Sequence, residues 1–301
     1  MRLGMVGLGR MGGGMTVRLL RGGHEVVAFD PDEGARARAR ATGAEAVGSL
    51  EELAAGLDPP RVVWTMVPAG EATERVVARL GELLEPGDVV VDGGNSHFRD
   101  SMRRAERLAA SGIRFVDCGV SGGVWGLRDG YCLMAGGEPE AVALLEPALR
   151  ALAPEGGYAR VGPSGAGHFV KMIHNAIEYG MLAAYGEGFE LLHASPFGLD
   201  LAQVAGVWRR GSVIRSWLLD LLHGALERQP DLAGVRGWVE DTGEGRWAVE
   251  TAVSAAVPAP FTALALFQRF ASRQGESFAA KVIAALRAEF GGHGIRAEEP
   301  G

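Results

Sequence analysis

Residues 2–30 read R-L-G-M-V-G-L-G-R-M-G-G-G-M-T-V-R-L-L-R-G-G-H-E-V-V-A-F-D, and they decide the fold of the N-terminal half. Residues 2–6 predict a short buried strand, and Gly7-Leu8-Gly9-Arg10-Met11-Gly12 predicts a tight turn. The apolar spacing through Val17, Leu19 and Leu20 predicts a helix, and residues 25–29 a second strand ending at Asp30. Strand, G-x-G-x-x-G, helix, strand and acid come in the order of a dinucleotide-binding unit, the acid about 20 residues past the glycines. The glycines permit the turn and let backbone N–H groups approach a pyrophosphate at the helix N-terminus. Gly7, Gly9, Arg10, Met11, Gly12 and Asp30 are therefore candidate cofactor residues.

Asp30 also selects the cofactor. A carboxylate there accepts hydrogen bonds from the adenosine ribose hydroxyls and repels a 2′-phosphate. Asp32 and Glu33 add to the repulsion, and the nearest arginine downstream is Arg36. NAD is expected rather than NADP.

The strand–helix alternation continues outward. Residues 62–67 predict a strand leading into Val67-Pro68-Ala69, with further strands at 89–92, 113–116, 131–135 and 158–161. Ligands of an open parallel sheet gather at the carboxyl ends of its strands. Two small-residue loops stand there: Asp92-Gly93-Gly94-Asn95-Ser96 and Gly119-Val120-Ser121-Gly122-Gly123. Either is ordinary turn chemistry alone; two at successive strand ends favour a binding role. The character changes near Gly162-Pro163, beyond which only helical periodicity is found. Helices are expected at about 167–193, 201–210, 214–226, 247–257 and 262–290, with a loose tail over 291–301. The fold class is α/β: a Rossmann-type dinucleotide-binding domain over residues 1–163, followed by an all-α domain over 164–301.

The helical part opens on G-A-G-H-F-V-K-M-I-H-N-A-I-E-Y-G, residues 165–180. Lys171, His174, Asn175 and Glu178 are spaced i, i+3, i+4 and i+7, one face of a helix. Phe169, Val170, Met172, Ile173, Ala176, Ile177, Met181 and Leu182 occupy most of the remaining circumference. A helix apolar nearly all round is usually buried, so the polar stripe is expected to face a ligand or partner rather than open water. The chain has 30 lysines and arginines, yet lysine stands only at 171 and 281. Arginine cannot lose its proton at ordinary pH, so a lysine here suits general acid–base work. Asp241-Thr242-Gly243-Glu244-Gly245-Arg246-Trp247 forms a second candidate anion or substrate edge, while Arg287 and His293, read by themselves, are surface groups.

Composition narrows the class further. A net charge of −7 and a pI near 5.6 disfavour nucleic acid or an anionic membrane as partner. Cys118 and Cys132 make neither a disulfide framework nor a metal motif, and no leader or membrane-spanning run is seen. A cytoplasmic protein is expected.

Taken together, K-M-I-H-N-A-I-E-Y-G (171–180), V-D-G-G-N-S (91–96), V-S-G-G (120–123) and F-G-G-H (290–293) resemble the 6-phosphogluconate dehydrogenases, in their short NAD-preferring form. The likeness spans almost the whole chain. It implies Lys171 as general base and Glu178 as general acid. It implies Asn95, Ser121, Gly122, Gly123, His174 and Asn175 around the substrate's carboxylate and hydroxyls. Tyr179, Arg269 and Arg287 would hold the phosphate, with His293 closing the pocket. Val67, Pro68, Ala69 and Asn95 would line the cofactor; no metal is implied. It also implies a homodimer or homotetramer in which each tail completes a neighbour's site. The chain departs from the long form at Val124-Trp125-Gly126-Leu127, where acids are usual, and at Thr242, where a lysine is. Two other readings are a β-hydroxyacid dehydrogenase acting on a small unphosphorylated acid and a non-catalytic cofactor-binding regulator.

The Asp30 reading has a direct test. NAD should exceed NADP by at least about tenfold in kcat/KM, roughly 1.4 kcal/mol, and Asp30→Ala should narrow that ratio. Steady-state kinetics with both cofactors measures it, and a wild type that prefers NADP would contradict it.

Overall fold

The computed structural model describes residues 1–291, 294 and 296. They form two compact units, Met1–Asn175 and a second from Ala176 onward.

The first unit is built on eight strands: β1 (Arg2–Val6), β2 (Glu25–Phe29), β3 (Glu45–Ala46), β4 (Val62–Thr65), β5 (Val89–Asp92), β6 (Arg114–Ser121), β7 (Cys132–Gly136) and β8 (Tyr158–Gly162). They form one sheet in the order β3-β2-β1-β4-β5-β6-β7-β8. Every neighbouring pair is parallel except β6 and β7, which run antiparallel with Ser121 opposite Cys132. Seven of the eight strands were expected from their apolar content; the two-residue β3 was not, since Glu45-Ala46 carries no apolar run, nor was the reversal at β7, because runs such as Val89-Val90-Val91 encode burial without direction. Side chains alternate across each strand. Met5, Trp64, Val89, Val91 and Cys118 join one core layer. Val6, Val63, Val90 and Phe115 join the layer on the opposite face.

Helices cover both layers: α1 (Arg10–Arg21), α2 (Glu33–Ala41), α3 (Leu50–Ala55), α4 (Glu71–Leu83), α5 (Phe98–Ala109), α6 (Gly126–Asp129) and α7 (Pro139–Leu152), with a 3₁₀ turn at Gly123–Trp125. Met15 and Leu19 of α1 and Leu145 and Leu149 of α7 fill the first layer. Leu53 of α3, Val77 and Leu80 of α4 and Leu108 of α5 fill the second. The carboxyl ends of β1, β4, β5 and β6 lead into Gly7, Met66, Gly93 and Gly122 along one edge of the sheet, whereas Gly119, Val120 and Ser121, expected in a loop, belong to β6 and pair with β7.

The long helix α8 (Ala166–His193) begins in the first unit and continues into the second, which also contains α9 (Leu201–Trp208), α10 (Trp217–Arg228), α11 (Glu244–Ser254), α12 (Pro260–Ala271) and α13 (Phe278–Gly291). The single helix expected over 262–290 is thus two. The break falls at Ser272-Arg273-Gln274-Gly275-Glu276-Ser277, where glycine and serine are poor helix formers, and Ser277 Oγ accepts from the Ala280 N–H to start α13. Burial of α8 is also less complete than its composition suggested. Met172, Asn175, Ala176, Tyr179 and Phe189 are buried, whereas Ile177 and Leu191 are 61% and 75% exposed and Phe169, Val170, Ile173, Met181 and Leu182 stand above one third. An apolar circumference specifies what avoids water without specifying what covers it. His293 and most of the tail beyond Gly291 lie outside the described residues. Among those described, no helix is long and apolar enough to cross a membrane.

Gly12 shows how tightly the glycine turn is built: a Cβ there would lie 1.9 Å from the Gly7 carbonyl oxygen. Gly12→Ala should therefore cost about 1–3 kcal/mol, the usual range for forcing extra volume into a packed site. A shift in the denaturant midpoint at unchanged m-value measures it.

Candidate active site

Two sets of groups arise within the first unit. The first surrounds the glycine turn. Gly7 has φ +91°, and a Cβ on it would strike the Met66 carbonyl oxygen at 2.5 Å. A Cβ on Gly9, by contrast, would meet nothing within 4 Å. Gly7 and Gly12 thus serve the chain's own packing, while Gly9 leaves bare backbone at the N-cap of α1, where a pyrophosphate can come close. Arg10 is exposed and Met11 half-buried beside it. Asp30 braces the turn: Oδ2 accepts from the Leu8 N–H at 2.7 Å and Oδ1 from the Asp32 N–H at 2.8 Å. A carboxylate has about four lone-pair sites, so capacity remains for a ribose hydroxyl. Arg36, the cation that could have answered a 2′-phosphate, is occupied. It donates to the carbonyls of Asp30 and Pro31 at 2.6 and 3.2 Å and pairs with Glu33 at 2.5 Å. These features fit a dinucleotide with a free 2′-hydroxyl.

The loop after β4 carries half-buried Val67 and exposed Pro68 and Ala69, with Thr73 Oγ1 donating to the Pro68 carbonyl at 2.8 Å. It abuts the loop after β5, since a Cβ on Gly94 would lie 2.8 Å from the Val67 carbonyl oxygen. Asn95 is exposed on that second loop. A buried network fixes the loop's shape. Asp92 accepts from the Gly94 N–H at 3.0 Å, from Ser96 Oγ at 2.8 Å and from Arg104 Nη1 at 3.0 Å. Arg104 reaches Glu74 through Nε at 2.9 Å, and Asp92 and Arg104 are both fully buried. Breaking such a pair strands a buried charge, which is why it constrains the loop strongly.

The second set lies where α8 starts against β6. Ser121 Oγ stands 3.2 Å from His174 Nε2, His174 Nδ1 is 2.9 Å from Asn175 Oδ1, and Lys171 Nζ is 3.5 Å from His174 Nδ1. With the amide oxygen as acceptor, Nδ1 carries the proton and Nε2 accepts from the serine hydroxyl. Lys171 and His174 are half-buried and Asn175 is buried. Hydroxyl, imidazole, amide and amine thus converge around one helical turn, beside Gly122 and Gly123, whose φ values of +121° and +53° turn the chain away from β6. Such a group can hold a polyhydroxy acid and move a proton.

Asp117 anchors this turn. Its Oδ1 accepts from the Gly165 N–H at 2.6 Å and its Oδ2 from the His168 N–H at 2.8 Å, satisfying donors at the start of α8. His168 is itself held by a 2.7 Å contact between Nδ1 and Ser101 Oγ. Sequence reading missed Asp117 and the Asp92–Arg104–Glu74 network. A lone acid inside the apolar run R-F-V-D-C-G-V was the available signal for Asp117. Nothing in R-D-S-M-R-R-A-E-R-L marks which arginine is buried.

Within the second unit, Tyr179 is buried beneath the Arg269 guanidinium, 3.3 Å from the ring centroid, and its hydroxyl has no partner among the described residues. A buried phenol lacking a partner fits a bound oxyanion or hydroxyl. Glu178 is half-buried on α8, and Arg287 is exposed on α13. Thr242 is exposed and donates to the Glu244 carboxylate, so it supplies no cation where the long form has lysine.

Comparison with known proteins places this arrangement. Residues 2–162, more than half of the chain, match the NAD binding domain of 6-phosphogluconate dehydrogenase, and residues 167–196 match that family's C-terminal domain. The chain is 45% identical over 298 residues to a protein of Haloferax volcanii named 6-phosphogluconate dehydrogenase, NAD(+)-dependent, decarboxylating, covering 98% of each. This chain belongs to the 6-phosphogluconate dehydrogenases. As a 6-phosphogluconate dehydrogenase it is an oxidoreductase whose N-terminal unit binds NAD. It is also similar to YqeC of Bacillus subtilis, 44% identical over 293 residues, with 97% of this chain and 98% of that one covered. The solved 6-phosphogluconate dehydrogenase of Plasmodium falciparum superposes with a TM-score of 0.84 at 25% identity, covering 99% of this chain and 66% of that one. A 3-hydroxyisobutyrate dehydrogenase of Mycobacterium tuberculosis superposes with a TM-score of 0.74 at 26% identity, covering 95% and 99%.

Asp117 yields a pH-dependent prediction. Burial pushes its carboxyl above the ordinary carboxylate value, with the His168 charge and the backbone N–H bonds pulling part of the way back. A pKa raised on folding adds stability below the unfolded value and loses it as pH rises through the folded value. Asp117→Asn removes that term together with one of the two accepted bonds. It should cost about 1–3 kcal/mol at neutral pH. The deficit against wild type should widen on acidification towards about pH 4. Denaturant titrations across that range measure both.

Proposed function

We propose that this enzyme converts 6-phospho-D-gluconate to D-ribulose 5-phosphate and CO₂ with reduction of NAD. The observation that carries the reading is the cluster centred on His174, which meets Ser121 through Nε2 and Lys171 and Asn175 through Nδ1, in a chain whose family acts on this class of sugar acid. NAD, when bound, supplies the acceptor for the hydride leaving C3. Neutral Lys171 takes the proton from the 3-hydroxyl, and the resulting β-keto acid loses its carboxyl group readily because the electrons delocalise into the ketone. The protonated lysine then donates to the oxyanion of the enediol. Glu178 delivers a proton to the former C2, which becomes C1 of ribulose 5-phosphate. Asn95, Ser121, Gly122, Gly123, His174 and Asn175 hold the carboxylate and hydroxyls. In the second unit the partnerless Tyr179 hydroxyl, with Arg269 stacked on its ring, supports a phosphate subsite to which Arg287 and His293 also contribute.

The subunits are proposed to associate as a homodimer or homotetramer in the cytoplasm, each tail reaching a neighbour's phosphate subsite. Exposed Phe261, Leu264, Phe267, Phe278 and Ile283 on the helical unit support that reading. The likeness to a 3-hydroxyisobutyrate dehydrogenase favours one alternative, oxidation of a small unphosphorylated hydroxy acid without decarboxylation. Such a substrate leaves Glu178, Tyr179 and Arg269 without work.

One assay separates the two. With 6-phosphogluconate and NAD, NADH and CO₂ should appear in equal amounts; NADH without CO₂ would favour the alternative. In the same assay Lys171→Ala should lose at least about a thousandfold in kcat while still binding NAD, within the range of general acid–base contributions. Lys171→Arg should fare little better, because arginine keeps its proton. Substantial turnover by either variant would remove the lysine from its role.

A further inference from the structure

Strand β6 and the first turns of α8 meet at two matched positions. Ser121 stands beside His174, and Gly119 lies beneath Lys171. A methyl group on Gly119 would lie 2.5 Å from Lys171 Cβ, 3.2 Å from its Cγ and 2.8 Å from the Gly167 carbonyl oxygen. The 2.5 and 2.8 Å distances are shorter than real Cβ contacts and the 3.2 Å one is tight, and two of the three atoms belong to the stem of the lysine. Gly119 sits in a regular strand and has no positive φ, so its backbone conformation would accept alanine. Space is the only constraint on that position.

The geometry links the two contacts. Residues 119 and 121 point to the same face of β6, because strand side chains alternate. Lys171 and His174 are neighbours one helical turn apart. The strand face that offers a hydroxyl to the imidazole therefore also offers bare backbone to the lysine. Gly167 sharpens the seating, since a Cβ there would lie 2.3 Å from the Asp117 carbonyl oxygen and 2.5 Å from that of Met134. The first turn of α8 is thus pressed onto main chain, and lateral escape for the lysine stem is limited.

We infer that Gly119 is a positioning residue for Lys171: by lacking a side chain it seats the lysine's Cβ and Cγ against β6 and so sets the reach of the amine relative to Ser121 and His174. This rests on Lys171 acting as the base. Any side chain at 119 tilts the stem outward and carries the amine off the line of the substrate's hydroxyl, while the glycine turn that holds NAD is untouched.

The test compares Gly119→Ala with Gly4→Ala and Lys171→Ala. Gly4→Ala is a packing control in β1, where a Cβ would crowd Leu53 Cδ2 at 2.7 Å, away from α8. Turnover, KM and melting temperature are measured for each. A further readout is the rate at which acetic anhydride labels Lys171 relative to Lys281, followed by peptide mass spectrometry. Lysine occurs only at 171 and 281, so Lys281 is an internal reference. Gly119→Ala should lower kcat by at least about tenfold, as a misplaced catalytic group does. KM for NAD should stay within about twofold, and the Lys171:Lys281 labelling ratio should change by about threefold or more. Gly4→Ala should lose stability and leave that ratio unchanged. Gly119→Ala with kcat within about twofold of wild type, beside an inactive Lys171→Ala, overturns the inference while sparing the role of Lys171. An unchanged labelling ratio despite lost turnover overturns it too, as does a Gly119→Ala chain that fails to fold, which assigns the glycine to the fold. A Lys171→Ala enzyme that still turns over defeats the assignment of the base itself.

Discussion

The carboxylate of Asp117 holds the first turn of the longest helix, and much of the site depends on that hold. Free N–H groups at a helix start need acceptors, and Asp117 satisfies two of them from inside the sheet. The cost is a charge taken out of water, visible in the upward displacement of its pKa. Accepting that cost fixes the helix in register with β6. Ser121 and the turn carrying His174 can then meet without either lying on a free loop. A site on rigid elements keeps its geometry better than one on loops alone.

The nucleotide side follows a different logic, in which selectivity comes from occupying groups rather than omitting them. Arg36 is present within reach of Asp30, yet two backbone carbonyls and Glu33 already claim its guanidinium. Asp30 meanwhile supports the glycine turn through the Leu8 N–H. One carboxylate therefore shapes the turn and repels a 2′-phosphate. Changing cofactor preference would require releasing Arg36 as well as removing the acid.

Much of this was legible in the chain because the decisive relations are local. The glycine turn, β2 and Asp30 lie within 30 residues, and Lys171, His174 and Asn175 lie within a turn and a half of one helix. What was not legible joins distant residues. Arg104 meets Asp92 across 12 positions and Glu74 across 30, and its neighbours Arg103 and Arg107 have the same composition but remain exposed. The antiparallel turn into β7 escaped because apolar alternation carries no direction. The break between α12 and α13 was obscured by helical residues on both sides of Gly275. The exposed flank of α8 shows the same limit, since hydrophobicity names a preference for burial and no partner.

The division of the chain at Asn175 has a consequence for how the enzyme is made. Residues 1–175 contain both core layers of the sheet and the turn bearing Lys171, His174 and Asn175, with no need of anything later in the chain to fill those layers. Domains generally fold as units, N-terminal first, while synthesis continues at about 5–20 residues per second. The nucleotide-binding half can thus finish folding on the ribosome seconds before the last helices emerge. The lysine is then already seated against β6 while the helical unit, with its exposed Phe261, Leu264 and Phe267, is still being completed.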